Sequence, residues 1–243
     1  IEKNITFKNV DFSYSEKEVF NSLNLEIKKE SFVGIAGQTG SGKTTLIKLL
    51  FRFYELNAGE IKLDGLNIND VNLESLRSKI GLVNQEIFLF DGTIQENIAY
   101  PNSKIDKTLL MEVAKSSQCL EFIEKLDDGF DTLIGERGQR LSVGQKQRIG
   151  IARALYKKPE ILVFDEATSA VDNETEFLIQ KALKEISKNC TTLVIAHRLS
   201  TIKNADKIIV LGKQSILEEG THNDLIKNNN FYKHLWDIQT GNN

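Results

Sequence analysis

The residues best suited to chemistry in this chain form the run Gly37-Gln38-Thr39-Gly40-Ser41-Gly42-Lys43-Thr44. Two glycines that flank four residues and precede Lys-Thr match the phosphate-binding loop, or P-loop. The glycines allow backbone N–H groups to turn towards phosphate oxygens, and the N-terminus of the next helix adds partial positive charge. Lys43 can then reach terminal phosphates, and the Thr44 hydroxyl can bind Mg²⁺. The context also fits, because Phe32–Ala36 is apolar like a buried strand and Thr45–Phe51 has helical spacing.

A second group of candidate residues is Asp165-Glu166, directly after the apolar run Ile161–Phe164. Four apolar residues in a row are typical of a strand buried on both faces. In an open α/β sheet, ligands bind beyond the carboxyl ends of the strands, so both carboxylates would lie near the ligand. Asp165 can then hold Mg²⁺, and Glu166 can polarise a water aimed at a γ-phosphate. The alternative for Glu166 is a solvated carboxylate at a turn.

The run Leu141-Ser142-Val143-Gly144-Gln145 resembles the signature of ATP-binding cassette (ABC) transporter nucleotide-binding domains. The family signature is Leu-Ser-Gly-Gly-Gln, and the Gln-Arg pair that follows it is matched by Gln147-Arg148. The resemblance covers essentially all 243 residues, with the family's motifs in the expected order. It places further positions in those motifs: Tyr14 as the adenine-stacking aromatic, Gln85 in the glutamine loop, Ser169-Ala170-Val171-Asp172 as the D-loop and His197 as the switch histidine.

Tyr14 and Ser142 each have a structural alternative to the role that the resemblance implies. An aromatic residue in a strand, such as Tyr14, usually belongs to a core, although its ring can also stack on a base. Ser142 is a natural N-cap for the following helix. Ser142 can serve both as the N-cap and as a phosphate contact, because a hydroxyl and N–H groups at a helix start also suit a phosphate.

Gln85 and His197 both follow predicted strands. Gln85 comes after Ile80–Val83, and its amide oxygen can bind Mg²⁺ while its segment senses an adjoining domain. His197 comes after Leu193–Ala196, where a lone histidine is often structural. It follows Asp165 by one crossover, so it can instead reach the γ-phosphate end of the site.

The resemblance implies a dimer in which two domains pair head to tail around ATP and Mg²⁺. Each ATP would lie between the loop Gly37–Thr45 of one chain and Ser142–Gln145 of the partner, facing two helix N-termini. The expected nucleotide contacts are Tyr14, Gly37, Thr39, Gly40, Ser41, Gly42, Lys43, Thr44, Thr45, Ser142, Gly144, Gln145 and Asp172. The expected Mg²⁺ ligands are Thr44, Gln85 and Asp165, and the expected catalytic residues are Glu166, His197, Lys43 and Gln85.

Val143 is the one departure from the family signature, because it stands where the family has the first glycine of the pair. Its backbone N–H is retained, so a phosphate contact is still possible. Its β-branched side chain disfavours a positive φ and adds bulk. We therefore expect a slower or weaker ATP-closed dimer than a Val143→Gly variant would form.

The alternation of strands and helices predicts an α/β fold with a P-loop NTPase core and a mostly parallel sheet. An antiparallel β region is expected before the core, since Ile5–Tyr14 and Val19–Ile27 alternate apolar and polar residues. Helical spacing over Asp106–Leu126 predicts an inserted α-helical subdomain. We expect one ABC ATPase domain over 1–243, with the antiparallel region and the start of the core in 1–85. The helical subdomain would occupy about 86–155, and the rest of the core and the C-terminal helices 156–243.

Composition limits the partners that the chain is expected to have. The 31 cationic and 34 anionic side chains give a net charge of −3, which argues against a nucleic-acid partner. The longest apolar runs have the length of strands, and a membrane span needs ~20 residues. The two cysteines, Cys119 and Cys190, lack metal-ligand spacing and are expected to be buried free thiols. The chain begins at Ile1 and has Met111 as its only methionine, so we expect a piece of a longer protein.

The resemblance favours the ATPase domain of an exporter, at the cytoplasmic face of a membrane, with a transmembrane domain fused N-terminally. Three features support the exporter type: Gly135-Glu136-Arg137-Gly138, Asp91–Ile98 and the C-terminal helices. The alternatives are a soluble ABC-type ATPase that acts on nucleic acid or ribosomes, and an importer-type ATPase subunit. A nucleotide-binding regulatory module without turnover is a further alternative, which Val143 alone supports.

Overall fold

The computed structural model describes residues 4–165 and 172–241. The strands are β1 Asn4–Tyr14, β2 Lys17–Lys28, β3 Phe32–Gly37, β4 Ala58–Leu63, β5 Leu66–Asn67, β6 Ile80–Val83, β7 Ile161–Asp165, β8 Thr191–Ile195, β9 Lys207–Gly212 and β10 Ser215–Gly220. The α-helices are α1 Lys43–Leu50, α2 Leu73–Ser78, α3 Ile94–Ala99, α4 Lys107–Ser116, α5 Leu120–Ile123, α6 Val143–Tyr156, α7 Asn173–Ile186, α8 Leu199–Ile202, α9 His222–Asn228 and α10 Phe231–Thr240.

The N-terminal sheet is antiparallel, with strand order β2-β1-β4-β5. Its register pairs Ile5 with Ile27 and Phe7 with Leu25, and all four side chains are buried. Alternation along β1 and β2 therefore places one apolar face on the core, as strand periodicity requires. The antiparallel region predicted from the sequence is confirmed.

The second sheet has strand order β10-β9-β3-β8-β7-β6. Its five strands from β9 to β6 run parallel, and β10 is antiparallel to β9 at the edge. The carboxyl ends of β3, β8, β7 and β6 therefore meet at one edge of the sheet, in that order. This arrangement confirms the predicted α/β fold and places the P-loop beside the segments that follow the other three strands.

A helical region that includes α3, α4, α5 and α6 packs around its own cluster of buried side chains. The helical spacing predicted over Asp106–Leu126 is present, but the backbone breaks between α4 and α5 at Gln118, which has a φ of 59°. Both halves still turn apolar residues inwards, including Val113 and Ile123. The tyrosine hydroxyl of Tyr156 in α6 accepts a 2.7 Å hydrogen bond from the N–H of Asp106 and so ties this region together.

At the C-terminal end, α9 and α10 pack on the edge of the parallel sheet. His222 Nδ1 and the Tyr232 hydroxyl are hydrogen-bonded at 2.9 Å, and Leu225 is buried against the core. Within the described residues, no helix has both the length and the apolar character that crossing a bilayer requires.

Candidate functional site

The P-loop connects β3 to α1 through glycines in conformations that other residues rarely adopt. Gly37, Gly40 and Gly42 have φ values of 146°, 82° and 98°. A Cβ on Gly37 would lie 2.5 Å from the carbonyl oxygen of Leu211, and a Cβ on Gly40 would meet open space. The loop therefore needs glycine at Gly37 for close packing and at Gly40 for the backbone turn.

The side chain of the loop lysine, Lys43, folds back onto the backbone of the loop. Lys43 is 7% exposed, and its Nζ donates to the carbonyl oxygens of Gly37 at 2.8 Å and Gln38 at 3.0 Å. The first turn of α1 has no side-chain cap, so no capping oxygen competes for its N–H groups. The Ser41 Oγ is buried and makes no hydrogen bond among the described residues. An ammonium, uncapped N–H groups and an unsatisfied hydroxyl together fit a bound phosphate.

Tyr14 lines a cleft of about 240 Å³, together with Thr39, Thr44, Thr45 and His197. The Tyr14 hydroxyl is 3.4 Å from Thr45 Oγ1, which links the aromatic side chain to α1. The ring is only partly buried, as the adenine-stacking hypothesis requires. Its role with adenine remains a prediction.

An aromatic neighbour of Tyr14 was missed by sequence reasoning. The Tyr54 ring makes an edge contact with Tyr14, with centroids 5.0 Å apart, and Phe12 makes another at 4.8 Å. These two rings fix the plane of the Tyr14 ring. The sequence shows only the adjacent aromatic residues Phe53-Tyr54 after α1, and these do not indicate contact with a strand 40 residues earlier.

Three predicted site residues stand at the carboxyl edge of the parallel sheet. Asp165 is the last residue of β7, Gln85 lies two residues beyond β6, and His197 lies two residues beyond β8. Since β6, β7 and β8 are adjacent parallel strands, the three residues follow one another along that edge. Glu166 and the D-loop residues 169–171 lie outside the described residues.

The signature run Leu141–Gln145 leads into α6, and Ser142 caps this helix as predicted. The Ser142 Oγ accepts from the N–H of Gln145 at 3.2 Å, and the Gln145 Oε1 accepts from the N–H of Ser142 at 2.9 Å. This capping box confirms Ser142 as the N-cap. A Cβ on Gly144 would lie 2.3 Å from Thr175 Cγ2, so this glycine is required by the close approach of α6 and α7.

Val143 is the first residue of α6 and is 52% exposed. It is not among the residues with a positive φ, so the concern that a valine would strain the backbone here does not apply to this chain. The prediction that remains is that this exposed side chain adds bulk at the contact with a partner domain. Among the described residues, the lining of the P-loop cleft includes none of Ser142–Gln145.

Asp172 is the N-cap of α7. Its Oδ1 accepts from the N–H of Thr175 at 2.9 Å, and its Oδ2 accepts from the Thr175 hydroxyl at 2.9 Å. These hydrogen bonds hold the pKa of the Asp172 carboxyl below its usual value. The structure shows that Asp172 caps this helix. Its contact with a nucleotide remains a prediction.

Comparison with known proteins identifies the family of this chain. Residues 20–169 match the family model described as ABC transporter. An uncharacterized ABC transporter ATP-binding protein of Bacillus subtilis is 49% identical over 98% of this chain and 42% of its own length. The ATP-dependent lipid A-core flippase of Haemophilus ducreyi is 48% identical over 97% of this chain and 41% of its own.

Solved structures agree with these relatives. The structure of a bacterial Atm1-family ABC exporter with ATP bound matches with a TM-score of 0.88 and 42% identity, over 98% of this chain and 42% of that one. The chain thus spans about two fifths of the length of the proteins it matches. Together with these relatives, the P-loop, the carboxylate at the end of β7 and the capped signature helix show that the chain belongs to the ABC transporter family, as a nucleotide-binding domain.

Proposed function

We propose that this chain binds and hydrolyses ATP to ADP and phosphate, and that hydrolysis drives export through a membrane-spanning domain of the same protein. The observation that carries the proposal is the P-loop geometry. Lys43 and the uncapped first turn of α1 form a preorganised anion site beside Tyr14 and His197. Such a site can stabilise charge on a transferring phosphoryl group without reorganisation.

Each binding residue takes the role that its motif predicts. Tyr14 stacks on adenine, and Lys43 pairs with the terminal phosphates while the backbone of Gly40–Thr45 donates to their oxygens. Thr44, Gln85 and Asp165 hold Mg²⁺, which, when bound, neutralises charge on the phosphates. Hydroxyl, amide and carboxylate oxygens are the donors that Mg²⁺ prefers, so the residues present fit this ion.

The catalytic roles belong to Glu166 and His197. Glu166, which directly follows Asp165 in the sequence, orients and polarises the attacking water. His197 contacts the γ-phosphate end of the site, since it borders the P-loop cleft. Lys43 and Gln85 complete the catalytic set by charge and by positioning.

The proposed assembly is a head-to-tail dimer of two such domains, identical or paralogous. The Ser142–Gln145 helix start does not line the chain's own P-loop cleft and carries an exposed Val143, which leaves it available to a partner's nucleotide. Both helix N-termini would then face one triphosphate. The attached transmembrane domain would hold the pair at the cytoplasmic face of a membrane. Flippase and exporter relatives that are more than twice as long support this arrangement.

Phosphate release from ATP tests the proposal. The chain should release phosphate with saturation kinetics when Mg²⁺ is present. The Glu166→Gln variant should lose at least about a hundredfold in kcat while it retains ATP affinity, because general-base catalysis contributes that order of rate. A chain that binds ATP but releases no phosphate would instead favour the regulatory module. Equal rates for the chain and the Glu166→Gln variant would refute the role of Glu166.

A further inference from the structure

The backbone around His197 is held by a side chain from the last helix, 42 residues further along the chain. Gln239, in the last turn of α10, donates from Nε2 to the carbonyl oxygen of His197 at 2.8 Å. Its Oε1 accepts from the N–H of Leu199 at 2.8 Å. A carbonyl can only accept and an N–H can only donate, so these two partners fix which end of the amide is oxygen. One carboxamide therefore spans both sides of Arg198.

The bond to Leu199 also replaces a missing helix cap. Leu199 is the first residue of α8, and Arg198 at the N-cap position provides no side-chain hydrogen bond. The first N–H groups of a helix have no partner within the helix and need one elsewhere. Gln239 supplies that partner from 40 residues along the chain.

Two side chains on α7 hold the same segment, residues 197–200. Glu176 on α7 is 7% exposed, and its Oε2 accepts from Arg198 Nη1 at 3.0 Å. Its Oε1 accepts from the Ser200 hydroxyl at 2.5 Å. Gln180 Nε2 donates to the carbonyl oxygen of Ser200 at 3.2 Å. Residues 197 and 199 are thus bound from α10, and residues 198 and 200 from α7.

We propose that Gln239 is a positioning residue for ATP hydrolysis, acting through the backbone of His197. Its amide fixes the His197 carbonyl directly, and with it the Cα from which the imidazole reaches the P-loop cleft. A displacement of ångström size in a group that acts on the transition state lowers the rate far more than it weakens substrate binding. This inference rests on the proposed function, because it gives His197 a role at the γ-phosphate.

Kinetics of three variants test the inference. Gln239→Leu removes both hydrogen bonds, and Gln239→Glu keeps the acceptor for Leu199 but places a carboxylate against the His197 carbonyl. Both should lower kcat about fivefold or more and change the KM for ATP less than about twofold. The neighbouring Thr240→Ala loses a bond only to its own helix, at the Trp236 carbonyl, and should leave both constants unchanged.

A double-mutant cycle separates positioning from general destabilisation. If Gln239 acts through His197, then Gln239→Leu should have no further effect on kcat in a His197→Ala background. Effects of Gln239→Leu that multiply with those of His197→Ala would overturn the inference. So would a Gln239→Leu variant with wild-type kcat, or one in which loss of activity only follows the folded fraction.

Amide hydrogen exchange tests the contact without any need for turnover. The Leu199 N–H should be protected in the wild-type chain and in Thr240→Ala, and should exchange at least about tenfold faster in Gln239→Leu. If the wild-type chain hydrolyses no ATP while Leu199 shows this change, the proposed function fails and the contact stands. If ATP is hydrolysed and Leu199 exchange is unchanged by Gln239→Leu, the positioning inference alone fails.

Discussion

At the scale of single residues, Lys43 gives the most direct test of nucleotide binding. Its ammonium is the only cation placed against both Gly37 and Gln38 within the described part of the loop. Replacing Lys43 by Met removes a charge-assisted contact to phosphate. We expect ATP affinity to fall at least tenfold, measured by isothermal titration calorimetry with Mg²⁺.

A matched control for this prediction is available on the same helix. Lys48→Met removes the same charge from the last turn of α1, away from the loop. Its ATP affinity should stay within about twofold of the wild-type value. Equal losses for Lys43→Met and Lys48→Met would show that only overall charge matters, and would contradict the P-loop assignment.

Val143 carries the prediction that is particular to this sequence. It is an exposed first residue of α6, the helix start that the proposed dimer would bring to the partner's nucleotide. Val143→Gly should tighten the ATP-closed dimer and raise the ATPase rate, by removing bulk while retaining the N–H. Sedimentation in Mg-ATP, with Glu166→Gln present to prevent turnover, measures the dimer affinity. Equal dimer affinities and equal ATPase rates for the valine and glycine forms would reject this interpretation.

At the scale of elements, the contact between α6 and α7 depends on Gly144. An added Cβ would lie 2.3 Å from Thr175 Cγ2, so Gly144→Ala must push the two helices apart. We expect a loss of about 1–3 kcal/mol in the free energy of unfolding, which urea denaturation measures. Thr175→Ala removes the opposing atoms, so the double variant should be more stable than the sum of the single changes predicts. Strict additivity would show that the two residues do not collide.

The sequence predicted the elements with strong apolar patterning well, and the short elements of mixed composition poorly. Strong alternation in β1 and β2, and the apolar runs of β3 and β7, were sufficient to place those strands. The edge strand β10 and the short helices α2 and α3 were not predicted. Each of these has six residues of mixed apolar and polar character, which carry too little periodicity to distinguish a helix or strand from a loop. The break between α4 and α5 was missed because both halves share one apolar stripe.

The candidate site was predictable wherever a motif is local. The P-loop, Asp165, the Ser142 cap and the strand-end positions of Gln85 and His197 follow from short runs of sequence. The contacts of Gln239 and Tyr54 could not be predicted in this way, because they join residues 40 or more positions apart. Such contacts depend on tertiary packing, which a single sequence does not reveal.

At the scale of the whole molecule, the two cysteines report on global folding. Both are buried free thiols, and burial raises the pKa of Cys119 and of Cys190 from 9.0 to about 12. Above about pH 9 the unfolded chain loses thiol protons that the folded chain retains. The free energy of unfolding should therefore fall with rising pH, by up to about 1.4 kcal/mol per pH unit for each thiol.

Urea denaturation between pH 8 and pH 11 measures this dependence. The Cys119→Ala, Cys190→Ala double variant serves as the control, because it keeps every other titrating group. Its free energy of unfolding should decline less steeply with pH than that of the wild-type chain. Parallel pH profiles for the two proteins would show that burial does not shift these thiols.

The most direct test of the central claim is a crystal structure of the Glu166→Gln variant with ATP and Mg²⁺. We expect two chains head to tail, with each triphosphate beside Lys43 of one chain and the Ser142–Gln145 helix start of the other, and with His197 facing the γ-phosphate. A triphosphate bound away from Lys43, or a dimer whose signature helices do not reach the nucleotides, would contradict the account.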